Sequence, residues 1–224
     1  MRVVSSTEIM VIEPIDTTNE GPQVPKGKKG WQPVHLRQGS MDGACGLYSL
    51  MMGLIICDVV RHADACSLSA FSSKSKIGKL FEDFANLSPF LIEGTNADHI
   101  ITAINKYFPG KINIQEKERK RSDIVKFIDQ HIINNHPVLL ILTFEGGGAH
   151  WVLVIGRESE KRGKKTTLCR FLILDPSEET PKICSWNGVI DTRKQKGRYP
   201  YSWWTKKFTA QLECAIALSP KKHK

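Results

Sequence analysis

Apolar residues recur at helical spacing in the first half of the chain and at strand spacing in the second. From Cys45 to Val60, Leu47, Leu50, Met51, Leu54 and Ile55 repeat at intervals of three and four, and Tyr48, Met52 and Val59 widen the stripe almost all round. That pattern predicts a helix buried on every side. Ile77, Leu80, Phe81 and Phe84 mark a second helix. Thr95 followed by Asp98 reads as a capping box that opens a third, carried by Ile100, Ile101, Ile104 and Phe108. A fourth follows Ser122 and uses Ile124, Phe127, Ile128, His131 and Ile132. It ends at Asn134 and Asn135, because the ring of Pro137 disfavours helical backbone in the residue before it.

Beyond Pro137 the period changes. Val138 to Phe144 is a short continuous apolar run, as expected of a strand covered on both faces. His150 to Gly156 and Leu168 to Leu174 are further strand-like runs, joined through the polar stretch Arg157 to Thr167 with Gly163 near its middle. They read as a hairpin. Ala210, Leu212, Cys214, Ile216 and Leu218 alternate with less apolar neighbours and predict a last strand ending at Pro220. Helices first and a largely antiparallel sheet afterwards is the α+β pattern.

Residues 1–30 carry Pro14, Pro22, Pro25, Gly21, Gly27 and Gly30 with few large apolar groups, and are expected to form a loosely attached N-terminal arm. One compact domain is expected over 31–220, followed by a basic tail at 221–224. With 224 residues, 41% hydrophobic and 25% charged, the composition is that of an ordinary globular protein. No apolar run reaches the ~18 residues of a membrane span, and Glu8, Glu13 and Asp16 interrupt the start, so no secretory signal is expected. The expected setting is cytoplasmic, or that of an effector secreted without a cleavable signal. The net charge of +9 is split among short separate clusters, Lys26 to Lys29, Lys117 to Arg121, Lys161 to Lys165, Arg193 to Arg198 and Lys221 to Lys224. Without an aromatic-interleaved basic strand or helix face, this argues against a nucleic-acid partner.

Three segments hold polar groups where packing alone would not ask for them. In Asp42-Gly43-Ala44-Cys45-Gly46 a turn of small residues feeds the buried helix, placing Cys45 at the helix N-terminus. The helix dipole and free backbone N–H groups there favour an anionic sulfur. Cys57, Cys66, Cys169, Cys184 and Cys214 lack such an approach and read as structural thiols. In Glu145-Gly146-Gly147-Gly148-Ala149-His150 a glycine loop delivers His150 to the start of a strand. In Leu174-Asp175-Pro176 an acid ends an apolar strand. A hairpin centred between Arg162 and Gly163 pairs His150 directly with Asp175 on one face. Asp175 orienting His150, and His150 taking the proton of Cys45, would make a nucleophilic acyl-transfer site. Gln38 and the Cys45 N–H would supply the oxyanion donors. Trp151 points to the opposite strand face, away from this chemistry, while Trp203 and Trp204 either wall the cleft or pack the core.

The order Gln38, Cys45, His150, Asp175 resembles that of the papain-like cysteine peptidases. The segments RQGSMDGACGLYSL, GAHWVLVIG and FLILDPSEE look most like bacteriocin-processing peptidase domains, which cleave after double-glycine leaders. That family places its Gln six residues before the Cys, whereas Gln38 stands seven before Cys45. The resemblance implies a papain-like α+β fold, with a helical lobe bearing the nucleophile packed on a C-terminal antiparallel sheet. It also implies a cysteine peptidase or isopeptidase acting on a peptide or protein through a thioester, with no metal or organic cofactor. The same groups would serve an acyltransferase or deamidase, and an inactive peptidase-like binding module is the rival from another class.

Overall fold

A computed structural model describes residues 5–27, 30–38, 44–66, 75–86, 95–119 and 123–221. Asp42 and Gly43 of the glycine turn lie outside these, as do Ser122 and most of the basic tail. The helices are α1 (Cys45–Ile56), α2 (His62–Cys66), α3 (Lys76–Asn86), α4 (Ala97–Tyr107) and α5 (Ile124–Ile133). The strands are β1 (Ser5–Val11), β2 (Asp16–Thr18), β3 (Gly21–Pro25), β4 (Trp31–Pro33), β5 (Ile112–Glu118), β6 (Val138–Phe144), β7 (Ala149–Arg162), β8 (Lys165–Leu174), β9 (Gly188–Asp191), β10 (Tyr201–Trp203) and β11 (Phe208–Pro220).

The papain-like α+β arrangement expected above is not what forms. Strand accounts for 40% and helix for 25%, and six antiparallel strands close into a barrel. The ring runs β7-β6-β11-β10-β9-β8, and β8 pairs back onto β7. Closure depends on β9 and β10, four and three residues long, which are too short to show a period and sit in a stretch of turn-like composition. Small strand number demands a filled interior. From the register, Leu140, Leu142, Val152, Val154, Phe171, Ile173, Ile190, Trp203, Ala210 and Leu212 share the inward face, and all are buried.

The N-terminal segment is also corrected. β1 pairs antiparallel with β7 from Ser5↔Arg162 to Val11↔Gly156, and β2, β3 and β4 form a small sheet of their own. Ile12 and Val24 lie in the core. β1 is exposed on both faces over most of its length, so no alternation betrayed it.

Helices α1, α3, α4 and α5 fall close to where the apolar spacing predicts, whereas that spacing does not foresee the five-residue α2. α1 is buried almost throughout, Tyr48 being the partial exception, and it lies against β7 and β6. Gly46 makes this approach possible, since a Cβ there would stand 2.9 Å from Thr95 Cβ and 3.0 Å from Trp151 Cδ1. The cap of α4 is Asn96, not Thr95: its side chain accepts the His99 N–H. The Thr95 carbonyl instead accepts the Trp151 indole N–H at 2.6 Å. α5 starts at the Asp123 cap, whose side chain accepts the Lys126 N–H.

Candidate active site

Cys45 is the first helical residue of α1, and the Ala44 cap makes no side-chain hydrogen bond to the helix end. The first helical bond is Tyr48 N–H to Ala44 O, so the amides of Cys45, Gly46 and Leu47 have no partner within the helix. The thiol lies against β7, where its Sγ accepts the Trp151 backbone N–H at 3.4 Å. Trp151 thus enters the site through its backbone, while its indole packs on Gly46 as the expected strand parity requires.

His150 is the second residue of β7 and pairs with Leu142 of β6. Two glycines with positive φ, Gly146 at 98° and Gly147 at 85°, turn the chain between β6 and β7. His150 Nε2 bonds Asp175 Oδ1 at 2.8 Å. That leaves Nδ1 free of the carboxylate, on a ring whose next residue along β7, Trp151, gives its N–H to the Cys45 sulfur. Burial alone would push the imidazole down, yet the bonds to Asp175 and Cys45 and their charges raise it to about 9. On its far face the ring stacks on Trp203. β7 and β10 stand three strands apart in either direction round the ring, so both side chains point into the barrel mouth.

Asp175 is fully buried just past the end of β8. Burial would raise its carboxyl, but the His150 bond and charge together with Ser177 hold it below the usual range. Ser177 donates to Oδ1 from its N–H at 2.9 Å and its hydroxyl at 2.8 Å. The backbone is clamped as well. Asn187 Oδ1 accepts the Asp175 N–H at 2.7 Å, and its Nδ2 donates to the Asp175 carbonyl at 2.9 Å. His35 Nε2 lies 3.0 Å from the same carbonyl and Nδ1 lies 2.9 Å from the Thr180 hydroxyl. A carbonyl only accepts, so Nε2 carries the proton and Nδ1 receives the Thr180 hydroxyl. Burial lowers the His35 pKa, in keeping with that neutral form.

Asn187 and His35 are the positioning groups that sequence reasoning missed. Neither lies in a motif, and the only signal was a polar residue beside apolar neighbours in Val34-His35-Leu36 and Trp186-Asn187-Gly188-Val189. Gln38 is held near this turn through its backbone, its N–H donating to Pro176 O at 2.7 Å. Its Oε1 is buried without a hydrogen-bond partner. Trp203 walls the site, whereas Trp204 is half exposed beneath the Arg170 guanidinium.

The remaining cysteines differ from Cys45 in their surroundings. Burial pushes the Cys57 and Cys214 thiols up to about 12, with Glu116 adding to the effect at Cys214. Cys66 lies 3.5 Å from the His62 ring, but burial raises the thiol and lowers the imidazole. Both changes favour the neutral pair. Among the described residues no group of three or more His, Cys, Asp or Glu is placed to hold a metal ion, and no helix is long and apolar enough to cross a membrane. No model of a known protein family matches the chain, and no curated protein matches it.

Proposed function

We propose that this protein is a cysteine peptidase or isopeptidase that cleaves a peptide or protein substrate through a thioester. The reading is carried by one observation: the His150 imidazole bonds the buried Asp175 carboxylate at 2.8 Å, and the sulfur of Cys45, at the N-terminus of α1, accepts the backbone N–H of Trp151, the residue after His150, at 3.4 Å. His150, held as imidazolium by Asp175, stabilises the Cys45 thiolate. The thiolate attacks the scissile carbonyl carbon, and the carbonyl π electrons move onto oxygen. The Cys45 N–H, free of a side-chain cap, donates to that oxyanion, and Gln38 is the second donor in this reading. Collapse breaks the C–N bond as Nδ1–H of the imidazolium protonates the leaving amine. Neutral His150 then takes a proton from water, hydroxide adds to the thioester, and the acid leaves as the thiolate re-forms.

The reading keeps the chemistry of the motif resemblance and does not depend on the fold that resemblance implied. A thiol-directed electrophile should label Cys45 ahead of the other five cysteines, and His150→Ala should suppress that selectivity. Mass spectrometry of a peptide library incubated with the protein and with Cys45→Ala then reports cleavage. Equal labelling of all six thiols, or identical product profiles, would overturn the assignment.

A further inference from the structure

A cavity of about 600 Å³ opens beside the glycine loop that carries His150. It is lined by Glu145 to Gly147, by Gln195 to Tyr199 and by Thr209. Two cations line it, Lys196 and Arg198, against the single carboxylate of Glu145. Arg193 on the same loop pairs with Asp191, and Arg198 lies over the Tyr199 ring. Among the described residues neither Lys196 nor Arg198 has a carboxylate partner. A line of rings starts at the chain neighbours of two lining residues, Phe208 beside Thr209 and Phe144 beside Glu145, and runs to the reacting groups. Phe208, half exposed, stacks on Phe144 at 5.5 Å; Phe144 meets Trp203 at 6.0 Å; and Trp203 covers His150.

We propose that this cavity is the leaving-group subsite, taking Asp or Glu side chains that lie about three to five residues beyond the scissile bond. The placement rests on the mechanism above. The imidazolium must protonate the leaving amine, so the chain that follows the bond runs out over His150 and away from α1. That direction leads along the ring line to the cavity, and an extended peptide advancing about 3.3 Å per residue covers the distance in roughly five residues. Phe208 and Phe144 offer an apolar face to the intervening side chains. Lys196 and Arg198 then meet a carboxylate at a surface where neither is already neutralised.

Cys45→Ala protein supplies the test, because it holds the peptide without cutting it. A fluorescent ten-residue peptide with four Glu in its C-terminal half is titrated against its Gln counterpart. The Glu peptide is expected to bind at least tenfold more tightly, and Lys196→Glu with Arg198→Glu to abolish the difference. A matched reversal at the distant β7–β8 hairpin tip, Lys164→Glu with Lys165→Glu, should leave it intact. Equal binding of the two peptides overturns the subsite, as does a Glu preference that survives reversal at 196 and 198 or vanishes on reversal at 164 and 165. Peptide cleavage by the unmodified protein is read separately. Cleavage without the Glu preference removes only the subsite, whereas a Glu preference without any cleavage removes the peptidase reading and with it the leaving-group role, leaving a site for acidic peptides.

Discussion

The indole of Trp203 lies against the imidazole of His150, with ring centroids 5.4 Å apart and planes 20° from parallel. One side chain therefore fills the barrel and shields the base. Replacing Trp203 by Ala should cost about 3–5 kcal/mol of stability, as large-to-small changes at buried aromatic sites do. Trp203→Phe keeps a flat ring there and should lose markedly less. Urea unfolding of the two variants checks this, and similar losses would place the indole outside the core.

The raised His150 pKa links folding to pH. An unfolded histidine titrates near 6.5, whereas the folded value is about 9. The protonated ring is favoured by the fold, so its contribution is fully present below 6.5 and is lost as pH rises through 9. The expected loss is at most about 3 kcal/mol, and it should vanish in His150→Gln. His35, His62, His131 and His136 are held low by burial. They are neutral in the fold and lower its stability only as pH falls below 6.5. Unfolding midpoints measured from pH 5 to 10 separate the two windows.

Asp175→Asn removes the charge that opposes burial at His150. The imidazole should then titrate well below 9, read by NMR of the ring protons. Peptide cleavage should fall by roughly a hundredfold or more, as when a general base loses its orienting partner. An unchanged ring titration would separate the carboxylate from the base.

Asn187→Ala strips hydrogen bonds from both the N–H and the carbonyl of Asp175. The carbonyl keeps His35 Nε2 as a donor, so one buried group, the N–H, is orphaned at about 1–3 kcal/mol. Because Asn187 acts through Asp175, kcat should fall while KM holds, and the His150 titration should move downward with it. A loss of stability with both kcat and the titration unchanged would make Asn187 purely structural.

Gly46→Ala gains roughly 1 kcal/mol in helix propensity but drives a Cβ against Thr95 and Trp151. Trp151 cannot yield easily while its indole N–H is held by Thr95 O. Overpacking costs about 1–3 kcal/mol, so a net loss in thermal unfolding is expected. Cys45 labelling should slow as α1 is pushed off β7.

What could be read from residues alone divides along physical lines. All helices but α2, and the strand β6, were legible because their burial is one-sided or complete, and apolar spacing records that; α2 is five residues long and buries Ala65 alone. The meeting of His150 and Asp175 was legible in parity but not in register. The observed ladder pairs Arg162 with Lys165 and Leu153 with Leu174, which sets Asp175 level with Val152 and leaves His150 its diagonal neighbour. A shift of two residues preserves the face, so long side chains still meet; a shift of one would have separated them. Closure of the barrel was not legible. It rests on β9 and β10, on the polar halves of β7 and β8, and on long-range pairings that no local window records.

The nucleophile and its base are mounted on different bodies. His150 and Asp175 belong to one strand ring, braced by Asn187 and Ser177, while Cys45 rides on a helix that leans on that ring from outside. A small slide of α1 along β7 would part sulfur from imidazole and leave the acid–base couple whole. Reactivity in this architecture is therefore set by how firmly one helix is seated, a quantity that a ligand, a partner or a single glycine can adjust.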